Sequence, residues 1–200
     1  MHAGTPLICF VLIEDEPPLQ FTLFELRWEN MHPPSTQFML WLLNYKVASR
    51  THAFLRILHL SAFPTGDNGD MAIHYGPHLH SLRTPKVDRQ LIESARRLKE
   101  IFLFDGREIT VEFLLLLPPS VEHIAFSLLD GIYALEHIFQ VKGNGVALEN
   151  LRALSLHRQM DQNWPKLWTD LANRAKSIGI ELIRQENRGF LVGGVSIFVS

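Results

Sequence analysis

Apolar residues recur along this chain in a short phrase, LxxLxL, and each copy is followed by a turn or by a stretch with helical spacing. The clearest copies begin at Leu23 (with Leu26 and Trp28), Leu55 (Leu58, Leu60), Leu98 (Ile101, Leu103) and Leu151 (Leu154, Leu156). Weaker copies begin at Leu79 (Leu82, Thr84) and Val121 (Ile124, Phe126). Their first positions are separated by 32, 24, 19, 23 and 30 residues. Steps of that size mark a repeat architecture, in which no unit can bury its apolar face alone and each must stack on its neighbours. Side chains alternate along a strand, so the second and third apolar members of each phrase are expected to point into one core.

The stretches between phrases predict helices and turns. Ser35 or Thr36 is a candidate N-cap before Phe38, Met39, Leu42 and Leu43, which form one apolar stripe. Pro64 to Gly69 reads as a turn, and the stretch from there to Gly76 is too short for a long helix. Asp88 is expected to cap a helix with Leu91, Ile92 and Ala95 on one face. A fourth helix is expected to run from Glu108 through Val111, Leu114 and Leu115 until Pro118-Pro119 stops it. A fifth carries Ile132, Leu135, Ile138 and Phe139, followed by a loop at Gly143-Asn144-Gly145. The last is capped by Asp161 or Asn163, accepts Pro165 in its first turn, and ends at Gly179 in a left-handed conformation. Its apolar face is Trp164, Leu167, Trp168, Leu171, Ala172, Ala175 and Ile178, with Lys166, Asp170, Asn173 and Lys176 pointing outward. Ile180 to Ile183 is expected to be another strand. The apolar tail Phe190–Val199 has three readings: a closing cap, which is favoured, an interaction strand, or an unpaired edge.

This alternation of short strands with helices predicts an α/β fold with a parallel sheet on one face and helices on the other. Residues 1–200 are read as a single repeat domain, with units starting near residues 7, 23, 55, 79, 98, 121, 151 and 180. The composition, 46% hydrophobic and 20% charged, suffices for a sizeable core. A net charge of −2 gives no electrostatic case for nucleic acid. Cys9 is the single cysteine, so an intrachain disulfide and a cysteine-based zinc cluster are excluded. Together with the absence of signal-like features at Pro6–Ile13 and of an apolar run long enough to span a bilayer, this predicts a soluble cytoplasmic or nuclear protein with no membrane partner.

The residues between the buried members of each phrase define the opposite sheet face. That face is expected to collect Glu25, Arg27, Glu29, His59, Arg83, Glu100, Phe102, Phe104, His123, Ser127, Ser155 and His157. Phe102 and Phe104 are the informative pair, because aromatic anchors with charged neighbours characterise protein-binding patches. The alternative is that helices, loops or flanking segments cover both rings. The protein-binding candidates are therefore Arg27, His59, Arg83, Glu100, Phe102, Phe104, His123 and His157.

The phrase, the uneven unit lengths, and the segments LPPSVEHIAF (Leu117–Phe126) and LENLRALSLHR (Leu148–Arg158) resemble the leucine-rich-repeat region of fungal F-box-like proteins, over roughly residues 20 to 185. The resemblance implies an irregular leucine-rich-repeat-like solenoid that selects a substrate protein without itself being an enzyme. A Skp1-type adaptor is a partner only if an F-box exists outside this chain, since the strand-like Leu7–Ile13 stands where a helical F-box would precede the repeats. Two alternatives stay open: a truncated or orphan fragment with a structural role, and an enzyme without a recognisable motif. The asparagine of regular repeats is also missing. Its place, the ninth position counted from each first residue, falls on Met31, Phe63, Val87, Gly106, Leu129 and Gln159, so the turn amides must find other partners.

Other chemistry has weak support in the sequence. Gly143-x-Gly145 lacks the third glycine of a phosphate loop, and no GxSxG elbow is present. Asp67-Asn68-Gly69-Asp70 has calcium-loop residue types but the spacing of an ordinary turn. His78 and His80 share a face if Leu79 is a core strand residue; they then form either a metal-binding pair or a solvated strand edge. Cys9 lies in an apolar run and reads as core. Trp164 and Trp168 also read as core, with an exposed patch as the alternative. No cofactor and no catalytic or metal residue is assigned.

Overall fold

The computed structural model of the protein describes residues 23–28, 33–35, 39, 55–62, 64, 69–127, 133–158, 164–186 and 195–199. Seven strands follow the chain in order: β1 (Leu23–Trp28), β2 (Ile57–Leu60), β3 (Ser81–Thr84), β4 (Glu100–Leu103), β5 (His123–Ser127), β6 (Ala153–Arg158) and β7 (Glu181–Glu186). Each pairs parallel with the next. An eighth strand, β8 (Val195–Val199), pairs antiparallel with β1, giving the order β7-β6-β5-β4-β3-β2-β1-β8. The tail is therefore not an unpaired edge. Its five residues cover the exposed side of β1.

The crossovers carry helices α1 (Gly69–Tyr75), α2 (Arg89–Ser94), α3 (Val111–Leu116), α4 (Tyr133–Gly143) and α5 (Trp164–Ser177), with 3₁₀ turns at Gly76–His78 and Gly106–Glu108. Parallel neighbours need such connections, because a tight hairpin can only join antiparallel strands.

Register makes the phrase a physical object. Leu26, Leu58, Leu82, Ile101, Ile124, Leu154 and Leu182 are cross-strand partners in one row. The next inward row contains Trp28, Leu60, Thr84, Leu103, Phe126 and Leu156, all buried. The first members Leu55, Leu79, Leu98, Val121 and Leu151 are buried as well. These rows join Leu91, Ile92, Phe113, Leu114, Leu135, Ile138, Phe139, Leu171 and Ala175 from the helices in a single core. Each buried leucine contributes roughly 1.5–3 kcal/mol, so repetition of the phrase is repetition of the main stabilising term.

The second residue of each phrase makes a further ladder. The Arg56 carbonyl accepts from His80 N–H and Ser81 N–H (2.8 and 3.0 Å), and the His80 carbonyl from Lys99 and Glu100 (2.8 and 3.0 Å). Lys99 O repeats the pattern with Glu122 and His123, and Glu122 O with Arg152 and Ala153. One carbonyl thus satisfies two amides at the entries to β3, β4, β5 and β6.

Side chains from different segments satisfy carbonyls in the crossovers, rather than the turn amides that a repeated asparagine would serve. Ser61 Oγ donates to Trp28 O (2.6 Å), and buried Thr84 Oγ1 donates to Lys86 O (2.7 Å). Ser120 Oγ donates to Leu98 O (2.8 Å), His137 Nδ1 lies 3.0 Å from Ile109 O, and Lys142 Nζ donates to Leu148 O (2.8 Å).

Several helix expectations hold. Asp88 Oδ1 accepts from Leu91 N–H at 2.9 Å, and Leu91, Ile92 and Ala95 are buried. Met39 is helical and buried, with its N–H on Ser35 O at 3.0 Å. Gly179 has φ +76°, and in α5 Leu171 and Ala175 are buried while Asp170, Asn173 and Lys176 are exposed. Trp168 is half-buried against the core.

Others are corrected. α3 begins after Thr110, whose Oγ1 accepts from Phe113 N–H (3.2 Å), because Gly106–Glu108 is spent on a separate 3₁₀ turn capped by Asp105. That phase buries Phe113 and Leu114 and leaves Leu115 half exposed (50%). β7 runs from Glu181 to Glu186, so it begins one residue later and ends three residues later than Ile180–Ile183. Leu7–Ile13, Cys9, Phe38, Leu42, Leu43, Asp67-Asn68, Ile132, Asp161 and Asn163 lie outside the described residues.

Candidate functional site

The outward residues of the strands form two rows across the sheet. The first is Glu25, Ile57, Ser81, Glu100, His123, Ala153 and Glu181; the second is Arg27, His59, Arg83, Phe102, Ala125, Ser155 and Ile183. Arg27, His59 and Arg83 are thus direct cross-strand neighbours, and Phe102 follows on β4. Phe104 lies just beyond β4. His157 pairs in register with Ser127 and Gln185, outside the two rows.

Arg83, Phe102 and Phe104 make one unit. The Arg83 guanidinium carbon lies 4.5 Å from the Phe102 ring centroid and 4.9 Å from that of Phe104. The two rings meet edge to face, with centroids 5.2 Å apart and an interplanar angle of 79°. Both contacts are favourable, of order 0.5–1.5 kcal/mol each, and they immobilise three side chains that remain half-buried. Alternation puts Arg83 and Phe102 on one face, the β3–β4 register makes them direct neighbours, and Phe104 reaches the pair because ring size spans the two-residue step.

His59 sits between two arginines. Burial pushes its pKa down to about 4, with Arg27 and then Arg83 adding to the effect and Glu25 opposing it. It is therefore neutral near pH 7, and its Nε2 lies 3.3 Å from Ser81 Oγ. Arg27 is itself paired with Glu25. Burial likewise lowers the His123 pKa, partly opposed by Glu100, and His123 Nε2 lies 2.8 Å from Ser155 Oγ. Ser81 and Ser155 supply these hydrogen-bond partners. Their outward parity was the available signal, but the pairing depends on register across strands 22 and 32 residues apart.

No family model, curated protein or solved structure matches this chain. The assignment therefore rests on the geometry.

Glu100, His123 and Ser155 have the residue types of an acyl-transfer triad, and two of them are in hydrogen-bond contact. Ser155, however, is completely buried, so its hydroxyl cannot meet a substrate carbonyl. Its bond to His123 satisfies a buried polar group. Among the described residues no group of three His, Cys, Asp or Glu side chains is placed to hold a metal ion. The chelating reading of His78 and His80 fails on backbone grounds: His78 belongs to the 3₁₀ turn and Ser81 is the first strand residue, so the two histidines do not share a strand face. Among the described residues no helix is long and apolar enough to cross a membrane.

Proposed function

We propose that the chain is a non-enzymatic recognition scaffold, a leucine-rich-repeat-like solenoid that binds another protein on the outward face of its sheet. The observation that carries this reading is the Arg83–Phe102–Phe104 unit. Arginine and aromatic side chains dominate protein-binding hot spots, and those held rigid before binding lose the least entropy when a partner arrives. Chain-ordered parallel strands with the phrase buried in register support the repeat part of the proposal. A role like that of the substrate-selecting repeats of an F-box-like protein is the form of recognition that the sequence resemblance favours.

The test compares the wild-type chain with Phe102→Ser/Phe104→Ser as immobilised bait, with bound proteins identified by mass spectrometry. Proteins captured by the wild type should be lost from the variant, while far-ultraviolet circular dichroism stays unchanged because both rings are only half-buried. An identical captured set would place the binding face elsewhere.

A further inference from the structure

The rim where the parallel strands begin carries chemistry that the outward face does not. Here the second residues of successive phrases stand side by side as Phe24, Arg56, His80, Lys99, Glu122 and Arg152, each linked to the next by the carbonyl ladder at 2.8–2.9 Å. Neighbouring strands are about 4.8 Å apart, so Arg56, His80 and Lys99 span roughly 10 Å, within reach of long side chains converging on one point. Arg97 precedes Lys99 by two residues and is exposed, as is Arg96. Arg56 Nη1 donates to the backbone carbonyl of His78 at 3.1 Å, which anchors its guanidinium on the 3₁₀ turn that leads into His80.

The electrostatics agree with this placement. His80 is held below the usual histidine range first by burial, then by the positive charges of Arg56, Lys99 and Arg97. The nearest acid on the ladder, Glu122, is paired with Lys99 at 3.1 Å, and Glu100, also exposed, follows Lys99 in the chain. Among the described residues no side-chain partner engages the Arg96 or Arg97 guanidinium. Cations converging on a histidine repel a metal ion and attract an anion, which reverses the chemistry expected of a histidine pair.

We propose that Arg56, His80, Arg97 and Lys99 form a binding site for a single phosphate group, carried either by free orthophosphate or by a phosphorylated side chain. A phosphate brings about −1.5 to −2 charge and three strong acceptor oxygens. Arginine forks engage such oxygens in pairs, and lysine adds a point charge. A carboxylate, with one charge, would leave most of these donors unused. The cluster ends at Phe24 on one side and Glu122 on the other, which limits it to one anion. The site is separate from the Arg83–Phe102–Phe104 unit and stands or falls independently of it.

The test is a nuclear magnetic resonance titration of the full chain with sodium phosphate, following the His80 ring and Arg97 side-chain signals, with sodium chloride at matched ionic strength as the control. A saturable shift with phosphate alone is expected, weakened ~tenfold or more in Arg97→Gln and retained in Arg107→Gln, which lies elsewhere and pairs with Asp105. Arg97→Gln is the primary variant because the side chain is exposed, so loss of folding does not complicate the result. Arg56→Gln is checked by circular dichroism before use. A second arm titrates N-acetylphosphoserine amide: tighter binding than orthophosphate assigns the site to a modified partner chain, and weaker binding assigns it to the free anion. An unsaturable shift, a shift matched by chloride, or unchanged affinity in Arg97→Gln overturns the proposal.

Discussion

Replacing Gly76 with alanine should separate two helical elements. Gly76 opens the 3₁₀ turn after α1, is buried, and is not left-handed, so backbone freedom does not explain its presence. Space does. A Cβ at this position would lie 1.8 Å from Ser94 Oγ, 2.7 Å from Ser94 Cβ and 3.3 Å from the Ser94 carbonyl carbon. Carbon atoms pack best at about 3.5–4.0 Å. Rotating the serine hydroxyl away would remove the first clash, and with it the Oγ bond to Leu91 O at 2.8 Å, yet the Cβ clash would remain. The end of α2 must therefore move by nearly 1 Å relative to the turn. Overpacking of this kind costs about 1–3 kcal/mol, and the lost hydrogen bond adds about 1 kcal/mol. Gly76→Ala should thus destabilise the protein by about 2–4 kcal/mol, measured by equilibrium urea unfolding. Adding Ser94→Gly removes both close side-chain atoms and should recover at least about 1 kcal/mol, a coupling readable from a double-mutant cycle. The steric argument would be refuted by a Gly76→Ala protein within about 0.5 kcal/mol of wild type, or by strictly additive effects of the two substitutions.

Three further outcomes follow from the structure. In the unfolded chain His59 takes up a proton near its ordinary value of about 6.5, whereas in the folded protein it does so only at about 4; stability should therefore be full above about pH 6.5 and fall between there and pH 4. Allowing for its partial exposure, that contribution is on the order of 2 kcal/mol, and His59→Asn should flatten this part of a urea-unfolding series across the window. Asp88→Ala should cost about 1 kcal/mol through loss of the Leu91 amide acceptor, seen as a lower urea midpoint with an unchanged slope. In α3, Leu114→Ala should cost about 2–5 kcal/mol and Leu115→Ser less than about 0.5 kcal/mol; equal losses in thermal melts would show that the helix phase is wrong.

The strands were legible because their signal is local and repeated. Leu55-x-x-Leu58-x-Leu60 states which side chains are buried, and alternation then places His59 outward without further information. The Asp88 cap and Gly179 stop were readable for the same reason, since each acts within a few residues. Failures arose where a decision is made between distant segments. Whether Glu108 extends a helix or closes a 3₁₀ turn depends on the competition between Asp105 and Thr110 as caps, and that choice sets the phase that exposes Leu115. The place of the final strand beside β1 depends on which edge is vacant. On the outward face, residue types were legible one strand at a time, but Ser155 meeting His123 and Arg83 meeting two rings are properties of register. The basic rim has no local signature, because its members come from different strand entries, one or two at a time.

The seat of β8 against β1 also joins the two ends of the strand order. Glu186 ends β7 opposite Arg158, and Val195 begins β8 opposite Trp28, so both lie at the strands' far ends but on opposite edges. Nine residue steps join them, which reach at most about 30–32 Å. The seven strand gaps between them cover about 33–34 Å measured along the sheet. The two lengths agree within the scatter of strand spacing, so β8 covers the edge of β1 and also ties that edge covalently to the strand at the other end of the order.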